Sequence, residues 1–322
     1  MGKEVNIIIG SDHLGKDFPE KLQDLFPEVN FIKAFSEKEQ LNHIQKADVY
    51  FGFPSKEIIE KGSNIKWIAC PGTGIDKIIN NSQSLNPKTI ITNAPLAHVT
   101  PMAEHVIGTM VGLAHSFKKL FADQINKKWD VDQWNSKIVE LKGSNVCIYG
   151  YGKLGQSIAK KLNAFEMNIF PIDPVNNTKM GFEKSISHPN KLDEILRISN
   201  WLIIAAPLIR ETENFIKIEN LLRMPKNSYV VIISRGGIIN ENDLYEALNS
   251  GHLAGAGIDA TKIEPLPKSS PLWNIDNLII SQHASALSPQ MYEGRRKIFT
   301  ENIKRFINKN ELLHKCDLSK GY

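Results

Sequence analysis

The segment that most restricts the possible folds is a glycine-rich turn, Gly150-Tyr-Gly-Lys-Leu-Gly155. The apolar run Val146 to Tyr149 in front of it predicts a buried strand, and Gln156 to Phe165 behind it predicts a helix. Asn168 to Ile172 predicts a second strand, and Asp173 follows it directly. A strand, a tight turn, a helix and another strand form a βαβ unit, which predicts a parallel sheet.

Each glycine of this turn has a physical role in binding a dinucleotide. Gly150 permits the tight turn, Gly152 lets a pyrophosphate approach the backbone, and Gly155 lets the helix pack closely on the strand. The free amides at the helix start, those of Lys153 and Leu154, then face the phosphates and are favoured by the helix dipole. The alternative is a glycine-rich turn in some other α/β domain.

Asp173 stands where a carboxylate would accept hydrogen bonds from an adenosine ribose and repel a 2′-phosphate. Pro174 fixes the turn after it, and Lys179 is the nearest basic residue that follows. The segment therefore predicts NAD rather than NADP as the cofactor. The alternative for Asp173 is an ordinary solvated turn residue.

Length and composition exclude several other classes of protein. The 322 residues suffice for two domains with real cores, and the net charge of +4 comes from scattered residues, with no patch suited to nucleic acid or a membrane surface. Cys70, Cys147 and Cys316 give neither a disulfide framework nor metal-ligand spacing, so no metal is expected. Met-Gly-Lys-Glu at the N-terminus lacks an apolar signal core, and no apolar run could cross a bilayer, which predicts a cytoplasmic protein.

Apolar runs that predict strands alternate with helical segments along the whole chain, as expected for parallel sheets covered by helices. Besides the two runs beside the glycine-rich turn, they are Asn6 to Ile9, Phe31 to Ala34, Val49 to Phe51, Ile65 to Ala69, Thr89 to Thr92, Trp201 to Ala205, Tyr229 to Ser234, Gly255 to Asp259 and Leu278 to Ser281. Met102 to Ile125 predicts one long helix that bridges two domains. The amphipathic helix predicted over Met291 to Ile307 is expected to pack on the first domain.

Three polar residues, Arg235, Glu264 and His283, follow predicted strands, where doubly wound sheets bind ligands. A guanidinium is a natural bidentate partner of a carboxylate; the alternative for Arg235 is a capping or salt-bridge arginine. Taken singly, Glu264 would be a surface acid and His283 a structural histidine. As a pair, the glutamate would hold the imidazole in one tautomer, which suits a general acid near neutral pH. Together the three offer what reducing a 2-oxo acid with NADH requires.

Further segments extend this pattern over most of the chain. They are Lys66 to Asp76, Thr92 to Pro95, Ala103 to His105, Glu140 to Gly143, Ala206 to Leu208, Ser234 to Gly237, Asp259 to Pro265, Ser270 to Trp273 and the closing Gly321-Tyr322. Taken in order, these motifs resemble the D-isomer-specific 2-hydroxyacid dehydrogenases, which include glyoxylate/hydroxypyruvate reductases and phosphoglycerate dehydrogenase. The likeness begins near Ile65 and is weaker before it.

The resemblance implies an α/β protein with two Rossmann-like, doubly wound parallel-sheet domains. A discontinuous, flavodoxin-like substrate domain would contain residues 1–97 and 288–322, and an inserted NAD-binding domain would contain residues 98–287. The active site would lie in the cleft. Most relatives are homodimers joined through their nucleotide domains, so the resemblance also implies a homodimer.

A role for each matched residue follows from the same resemblance. His283 would be the acid/base and Glu264 its partner, and Arg235 would bind the substrate carboxylate and carbonyl. The backbone amides of Thr73 and Gly74 would donate hydrogen bonds to the substrate carboxylate. Asp259 would lie near the nicotinamide and Pro207 near the adenine. The implied reaction is NAD-dependent reduction of a small 2-oxo acid to the D-2-hydroxy acid. Two alternatives stay open: an NAD-sensing, corepressor-like binding protein with little turnover, and a short phosphoglycerate dehydrogenase.

The chain also departs from the family pattern. Glu166 stands where the family usually has glycine at a helix end, which predicts strain there unless the turn differs. Ile232, Lys262 and Gln282 replace a usual asparagine, acid and proline, but none of these changes removes a catalytic group. In the first domain, Phe53-Pro54 is a candidate wall of the substrate pocket, and an apolar wall would favour glyoxylate, hydroxypyruvate or a short aliphatic oxo acid over a phosphorylated one.

Overall fold

The computed structural model describes residues 5–134 and 137–321, which divide into two compact units. Unit 1 contains residues 5–98 and 287–321, and unit 2 contains Val99–Ala286. The family resemblance implied domain boundaries at residues 97/98 and 287/288. The first four residues, from which the lack of a signal core was inferred, and Tyr322 of the closing motif lie outside the described residues.

The sheet of unit 1 has five parallel strands in the order β2-β1-β3-β4-β5. In chain order the elements up to the unit boundary are β1 (Val5–Ile9), α1 (Phe18–Leu25), β2 (Val29–Lys33), α2 (Glu37–His43), β3 (Val49–Phe51), α3 (Lys56–Lys61), β4 (Trp67–Ala69), α4 (Asp76–Ile79) and β5 (Ile90–Thr92). Ile7 and Ile9 belong to one core and Ile8 to another, so both faces of the sheet are buried.

Unit 2 contains a second sheet, of six parallel strands in the order β7-β6-β8-β9-β10-β11. The elements are α5 (Pro95–Ala114), which begins before the unit boundary, α6 (Phe117–Ile125), β6 (Asn145–Tyr149), α7 (Lys153–Ala164), β7 (Asn168–Ile172), α8 (Leu192–Leu196), β8 (Trp201–Ile204), α9 (Ile218–Leu221), β9 (Ser228–Ile232), α10 (Glu241–Asn249), β10 (Leu253–Ile258) and β11 (Leu278–Ile280). Beyond β7, Glu183 and Ser187 form parallel bridges with Ile169 and Ile172, where a Rossmann sheet has its outermost strand.

The prediction of one helix from Met102 to Ile125 was wrong. The structure has two helices, because Ser116 adopts a left-handed conformation with φ of 54° and turns the chain between α5 and α6. The amides of Lys119 and Leu120 then bond to the Ser116 carbonyl and start the second helix. Serine is not a strong helix breaker, so no residue type marks this turn.

The last helix, α11 (Pro289–Ile307), packs on unit 1 as predicted. The Ser288 hydroxyl caps its start by accepting from the amide of Met291 at 3.1 Å. The Phe299 ring packs at a tilt against the rings of Phe51 and Trp67, with centroids 4.6 and 5.6 Å away. The C-terminal part of the chain therefore completes the core of unit 1.

Both sheets have a topological switch point beside their first strand, between β1 and β3 in unit 1 and between β6 and β8 in unit 2. Loops leave such a point in opposite directions, and the crevice beyond the carboxyl ends of the strands is where open α/β sheets bind ligands.

The strand orders confirm the predicted fold class. Among the described residues, no helix has the length and apolar character needed to cross a membrane.

Candidate cofactor and active site

The glycine-rich turn follows β6 at the switch point of unit 2. Gly150 has φ of 99°, and a Cβ atom there would lie 2.4 Å from the amide nitrogen of Ala206 in the loop after β8. A Cβ atom on Gly155 would lie 2.2 Å from the Gly150 carbonyl oxygen. These two positions accept only glycine, because the turn and the first turn of α7 are in backbone contact.

Gly152 differs from the other two glycines, because a Cβ atom there would meet nothing within 4 Å. Gly152 is also the N-cap of α7, and no side chain caps this helix. The amides of Lys153 and Leu154 lie in its first turn, which contains no acidic residue. Open space in front of uncapped helix amides is the arrangement that accommodates a pyrophosphate, so these residues fit a dinucleotide.

Asp173 lies directly after β7 and binds the glycine-rich turn itself. Its Oδ2 accepts from the amide of Tyr151 at 2.7 Å, and its Oδ1 accepts from the amides of Val175 and Asn176 at 2.9 and 2.7 Å. Three backbone donors orient the carboxylate beside the turn. One acceptor position on Oδ2 stays available to a ribose hydroxyl.

A buried pair holds the segment that follows Asp173. The Tyr151 hydroxyl donates to the carboxylate of Glu183, which also accepts from the amides of Met180 and Gly181. Burial acts to raise the pKa of Glu183, but the hydrogen bonds from Tyr151 and the backbone outweigh it and leave the pKa below its usual value. The Asn176 side chain donates to the Tyr151 carbonyl at 2.6 Å, so the segment is tied to the glycine-rich turn at several points.

His283 and Glu264 form the ion-pair geometry that the sequence predicted. Both carboxylate oxygens of Glu264 lie 2.9 Å from Nδ1 of His283, and the Thr261 amide donates to Oε1 at 3.2 Å. Because a carboxylate only accepts, Nδ1 must carry a hydrogen, which leaves Nε2 as the atom that gains or loses a proton. Both side chains are partly exposed, so Nε2 is accessible.

The loop that carries His283 is held by Asp259, which lies at the end of β10. Oδ1 of Asp259 accepts from the Ser281 hydroxyl at 2.6 Å and from the amides of Ala284 and Ser285 at 3.0 and 3.2 Å, and Oδ2 accepts from the Ser285 hydroxyl. The His283 amide donates to the Asp259 carbonyl at 2.8 Å. These bonds stabilise the positive φ of His283, 54°, which a histidine rarely adopts.

Arg235 lies just beyond β9, and its backbone adjoins the loop that carries Glu264. Its Nη1 donates to the Ser234 carbonyl at 2.7 Å. The next residue, Gly236, touches the backbone of Thr261 so closely that a Cβ atom would lie 2.1 Å from that carbonyl carbon. Pro207, in the loop after β8, is exposed, and its carbonyl accepts from the Thr212 hydroxyl at 2.7 Å.

The two predicted substrate residues of unit 1, Thr73 and Gly74, lie in the loop between β4 and α4. The Thr73 carbonyl accepts from the Asn93 side chain at 2.7 Å, and the Gly74 carbonyl accepts from the Cys70 thiol at 3.6 Å. Their carbonyls are thus held within unit 1, while their amides form no backbone hydrogen bond with a described residue. Free amides suit the predicted role as anion donors.

The sequence missed the residues that support this site. Ser281 and Ser285 bind Asp259, and Glu183 and Asn176 bind the glycine-rich turn. Each is a small or common polar residue far along the chain from its partner, so no spacing rule selects it. By contrast, the expected strain at Glu166 is present, because this residue has φ of 57° at the end of α7.

A known protein family matches this chain within unit 2. The family model described as D-isomer specific 2-hydroxyacid dehydrogenase, NAD binding domain, matches residues 107–285. This range lies within unit 2 and contains the glycine-rich turn, Asp173, Arg235, Glu264 and His283. Among the described residues, no group of His, Cys, Asp and Glu side chains has the arrangement of a metal site.

Relatives match over nearly the full chain. A hydroxypyruvate reductase of Blautia hydrogenotrophica is 27% identical over 84% of this chain and 85% of its own length. A D-3-phosphoglycerate dehydrogenase of Methanocaldococcus jannaschii is 29% identical over 93% of this chain, but the match spans only 57% of that longer protein. A solved structure from Aeromonas salmonicida, of a D-isomer specific 2-hydroxyacid dehydrogenase family protein, covers 98% of this chain and 100% of its own, with a TM-score of 0.85 and 24% identity.

The match to the family model covers more than half of the chain, and it contains the strand ends where the glycine-rich turn and the histidine–glutamate pair were found. The chain therefore belongs to the D-isomer specific 2-hydroxyacid dehydrogenases, a family of oxidoreductases that bind a nicotinamide dinucleotide.

Proposed function

We propose that this protein reduces a small 2-oxo acid to the D-2-hydroxy acid, reversibly, with NADH as the reductant. The observation that carries the proposal is the pair formed by His283 and Glu264, with both carboxylate oxygens 2.9 Å from Nδ1. The pair lies in the same unit as the dinucleotide turn, on loops at the carboxyl edge of one sheet. A proton donor and a hydride source at one edge suit carbonyl reduction.

Bound NADH supplies the hydride that adds to C2 of the substrate. His283 donates its Nε2 proton to the carbonyl oxygen, which becomes the hydroxyl of the product. Glu264 stabilises the imidazolium before transfer and holds Nδ1 in its protonated form. In the reverse reaction the neutral His283 accepts the hydroxyl proton through the same atom.

Arg235 binds the substrate carboxylate and polarises the carbonyl that is reduced. Its guanidinium can pair with a carboxylate through two parallel hydrogen bonds, which fixes orientation as well as position. The free amides of Thr73 and Gly74 in unit 1 donate to the same carboxylate. In the cofactor site, Pro207 would lie near the adenine, and Asp259, which also binds the His283 loop, would lie near the nicotinamide.

Asp173 selects NADH over NADPH. Its carboxylate is oriented by three backbone amides, so it cannot swing away from a 2′-phosphate without losing them. The like charges would repel, whereas a ribose diol can donate to the remaining acceptor position. Asp173→Ser should therefore lower the preference for NADH by about 10-fold or more, since like-charge juxtaposition costs several kcal/mol.

We also propose that the protein works in the reducing cytoplasm, where its three free cysteines would stay reduced.

We further propose that it forms a homodimer through unit 2. Large apolar side chains are exposed on α6 and the segment after it: Phe117, Phe121, Ile125, Trp129, Val131, Ile138 and Val139. Trp129 is 94% exposed and Ile125 is 80% exposed, which is costly unless a partner covers them. Trp129→Arg should give a monomer in light scattering, whereas an unchanged mass would exclude this surface.

The direct test of the proposed reaction is NADH oxidation against a panel of 2-oxo acids, with NADPH in parallel. We expect turnover of at least one member, a D-configured product and a preference for NADH. Binding of NADH without turnover of any member would support the sensing protein instead. Preference for the phosphorylated member would support the phosphoglycerate dehydrogenase alternative.

A further inference from the structure

The motif Ala103-Glu-His105 contains a histidine whose side chain binds the loop after β11. His105 lies on α5, and its Nε2 is 3.0 Å from the hydroxyl oxygen of Ser281. That hydroxyl donates to Oδ1 of Asp259 at 2.6 Å. Because a hydroxyl has a single hydrogen, Ser281 must accept from His105, and Nε2 of His105 must carry a hydrogen. Two successive hydrogen bonds thus connect α5 to Asp259.

Asp259 is the residue through which this connection affects the His283 loop. It is 3% exposed, and its Oδ1 also accepts from the amides of Ala284 and Ser285 at 3.0 and 3.2 Å. The amide of His283 donates to the Asp259 carbonyl at 2.8 Å. A rotation of the Asp259 carboxylate would therefore disturb the backbone that follows the proposed proton donor.

Glycines in β10 bring α5 close to this part of the sheet. Thr109 and Leu113 follow His105 at intervals of four residues, so the three lie on one face of the helix. A Cβ atom on Gly257 would lie 2.2 Å from Cγ2 of Thr109, and one on Gly255 would lie 3.2 Å from Cδ2 of Leu113. Since Asp259 directly follows β10, this close packing fixes the position of His105 relative to Asp259.

The space around the connection is too small for water. The void whose lining includes His105, Thr109, Asp259 and Ser281 has no room for a water molecule. Water therefore cannot supply the hydrogen bond to Ser281 while a ring of this size occupies position 105. An aromatic ring without an N–H group would exclude water and leave Ser281 without its donor.

We propose that His105 is a positioning residue for carbonyl reduction in unit 2. Through Ser281 it fixes the orientation of the Asp259 carboxylate, and Asp259 fixes the loop that carries His283. His105 is not a second proton donor to the substrate, because its Nε2 hydrogen is used for Ser281. This inference rests on the proposed function and adds a residue to it.

Two substitutions of His105 separate its hydrogen bond from its volume. His105→Phe keeps a ring but removes the donor, so kcat should fall by about 10-fold, the upper range for one lost hydrogen bond. The KM of the 2-oxo acid should change less than about 3-fold, because Arg235 is untouched. His105→Gln places an amide N–H group near the position of Nε2 and should restore kcat to within about 3-fold of the wild type.

A wild-type kcat in His105→Phe would overturn the inference, and so would a kcat in His105→Gln as low as in His105→Phe. His188→Phe is the matched control, because it makes the same substitution at an exposed histidine of unit 2. It should leave kcat unchanged.

Ser281→Ala tests the connection from its other end and also covers the case in which His105→Phe does not fold. It should lower kcat by about 10-fold. Adding His105→Phe to Ser281→Ala should lower kcat by no more than about 2-fold further, because both changes remove the same connection. A wild-type kcat in Ser281→Ala, or two losses that multiply, would overturn the inference.

Hydrogen–deuterium exchange of the full chain gives a readout that needs no turnover. The amides of Ala284 and Ser285 should exchange about 10-fold faster in His105→Phe than in the wild type, and at nearly the wild-type rate in His105→Gln. The Tyr151 amide, which donates to Asp173, should be unaffected. Unchanged exchange of Ala284 and Ser285 in His105→Phe would overturn the positioning role. Faster exchange, with no turnover of any 2-oxo acid by the wild type, would support that role and contradict the proposed reaction instead.

Discussion

The two sheets have similar strand orders, but the polar groups near their carboxyl edges differ in how many have hydrogen-bond partners. In unit 2, His283 is paired with Glu264, and Asp259 accepts from Ser281 and Ser285. Among the described residues of unit 1, the Ser11 hydroxyl, Nδ1 of His13 and Nε of Arg295 are buried without a hydrogen-bond partner. Among those of unit 2, the Ser234 hydroxyl is buried without one, and no group that is proposed to react belongs to this set.

This difference suits the role proposed for unit 2. Partners that are fixed in advance lower the cost of reorganisation during a reaction. Unit 2 is therefore expected to determine the chemistry.

The largest effect should come from His283→Ala. Loss of the proton donor should lower kcat by about 10³-fold at neutral pH, the usual range for general acid catalysis. NADH binding, followed by its fluorescence, should be unchanged. His188→Ala, an exposed histidine of the same unit, is the control. Retained turnover in His283→Ala would place the proton donor elsewhere. It would also contradict the role of unit 2 in the chemistry.

Arg235→Lys should have the next largest effect on catalysis. A lysine keeps the charge but cannot form two parallel hydrogen bonds with a carboxylate. We expect kcat/KM to fall about 30-fold, the scale of a lost bond to a charged group, mainly through a higher KM together with a lower kcat. The same loss should appear with every 2-oxo acid, because the carboxylate is common to all. A kcat/KM that stays near the wild-type value would place the binder of the substrate carboxylate elsewhere.

Two glycine substitutions separate the fold from the cofactor site within unit 2. Gly150→Ala should lower the free energy of unfolding by about 3 kcal/mol, because its Cβ atom would contact Ala206 and its φ is positive. Gly152→Ala meets open space, so stability should change by less than about 0.5 kcal/mol. It should nevertheless raise the Kd of NADH about 10-fold, since the methyl group occupies the phosphate position. Unchanged NADH affinity would move the pyrophosphate away from this turn.

Tyr151→Phe should affect stability less than Gly150→Ala does, because it removes only the hydroxyl that donates to Glu183. The free energy of unfolding at pH 7 should fall by about 1.5–3 kcal/mol, as for a hydrogen bond to a charged group. The pKa of Glu183 is below its usual value of 4.5 in the folded protein. Its contribution is therefore present above about pH 4.5 and lost as the pH falls further.

Chemical denaturation at pH 7 and at pH 3.5 checks this prediction. The difference between the wild type and Tyr151→Phe should shrink at the lower pH. An equal difference at both values would show that the carboxylate of Glu183 does not stabilise the segment after Asp173.

The strands and the site of unit 2 were predictable because both follow local rules. Apolar runs located the eleven strands that the described residues contain, and the rule that ligands bind at strand ends selected Arg235, Glu264 and His283. The turn at Ser116 was missed, since its left-handed conformation depends on tertiary structure and not on a glycine. The contact between His13 and Arg295 joins residues at opposite ends of the chain, and no pattern in a single sequence reports such a pair.

The most direct test of the proposed reaction is the transfer of deuterium to the product from NADH that carries deuterium at both C4 positions. Mass spectrometry and chiral chromatography of the product from the best 2-oxo acid would measure both label and configuration. We predict one deuterium at C2 of a D-2-hydroxy acid, formed about 10³-fold more slowly by His283→Ala. An unlabelled or L-configured product, or label transfer by His283→Ala at the wild-type rate, would contradict the mechanism.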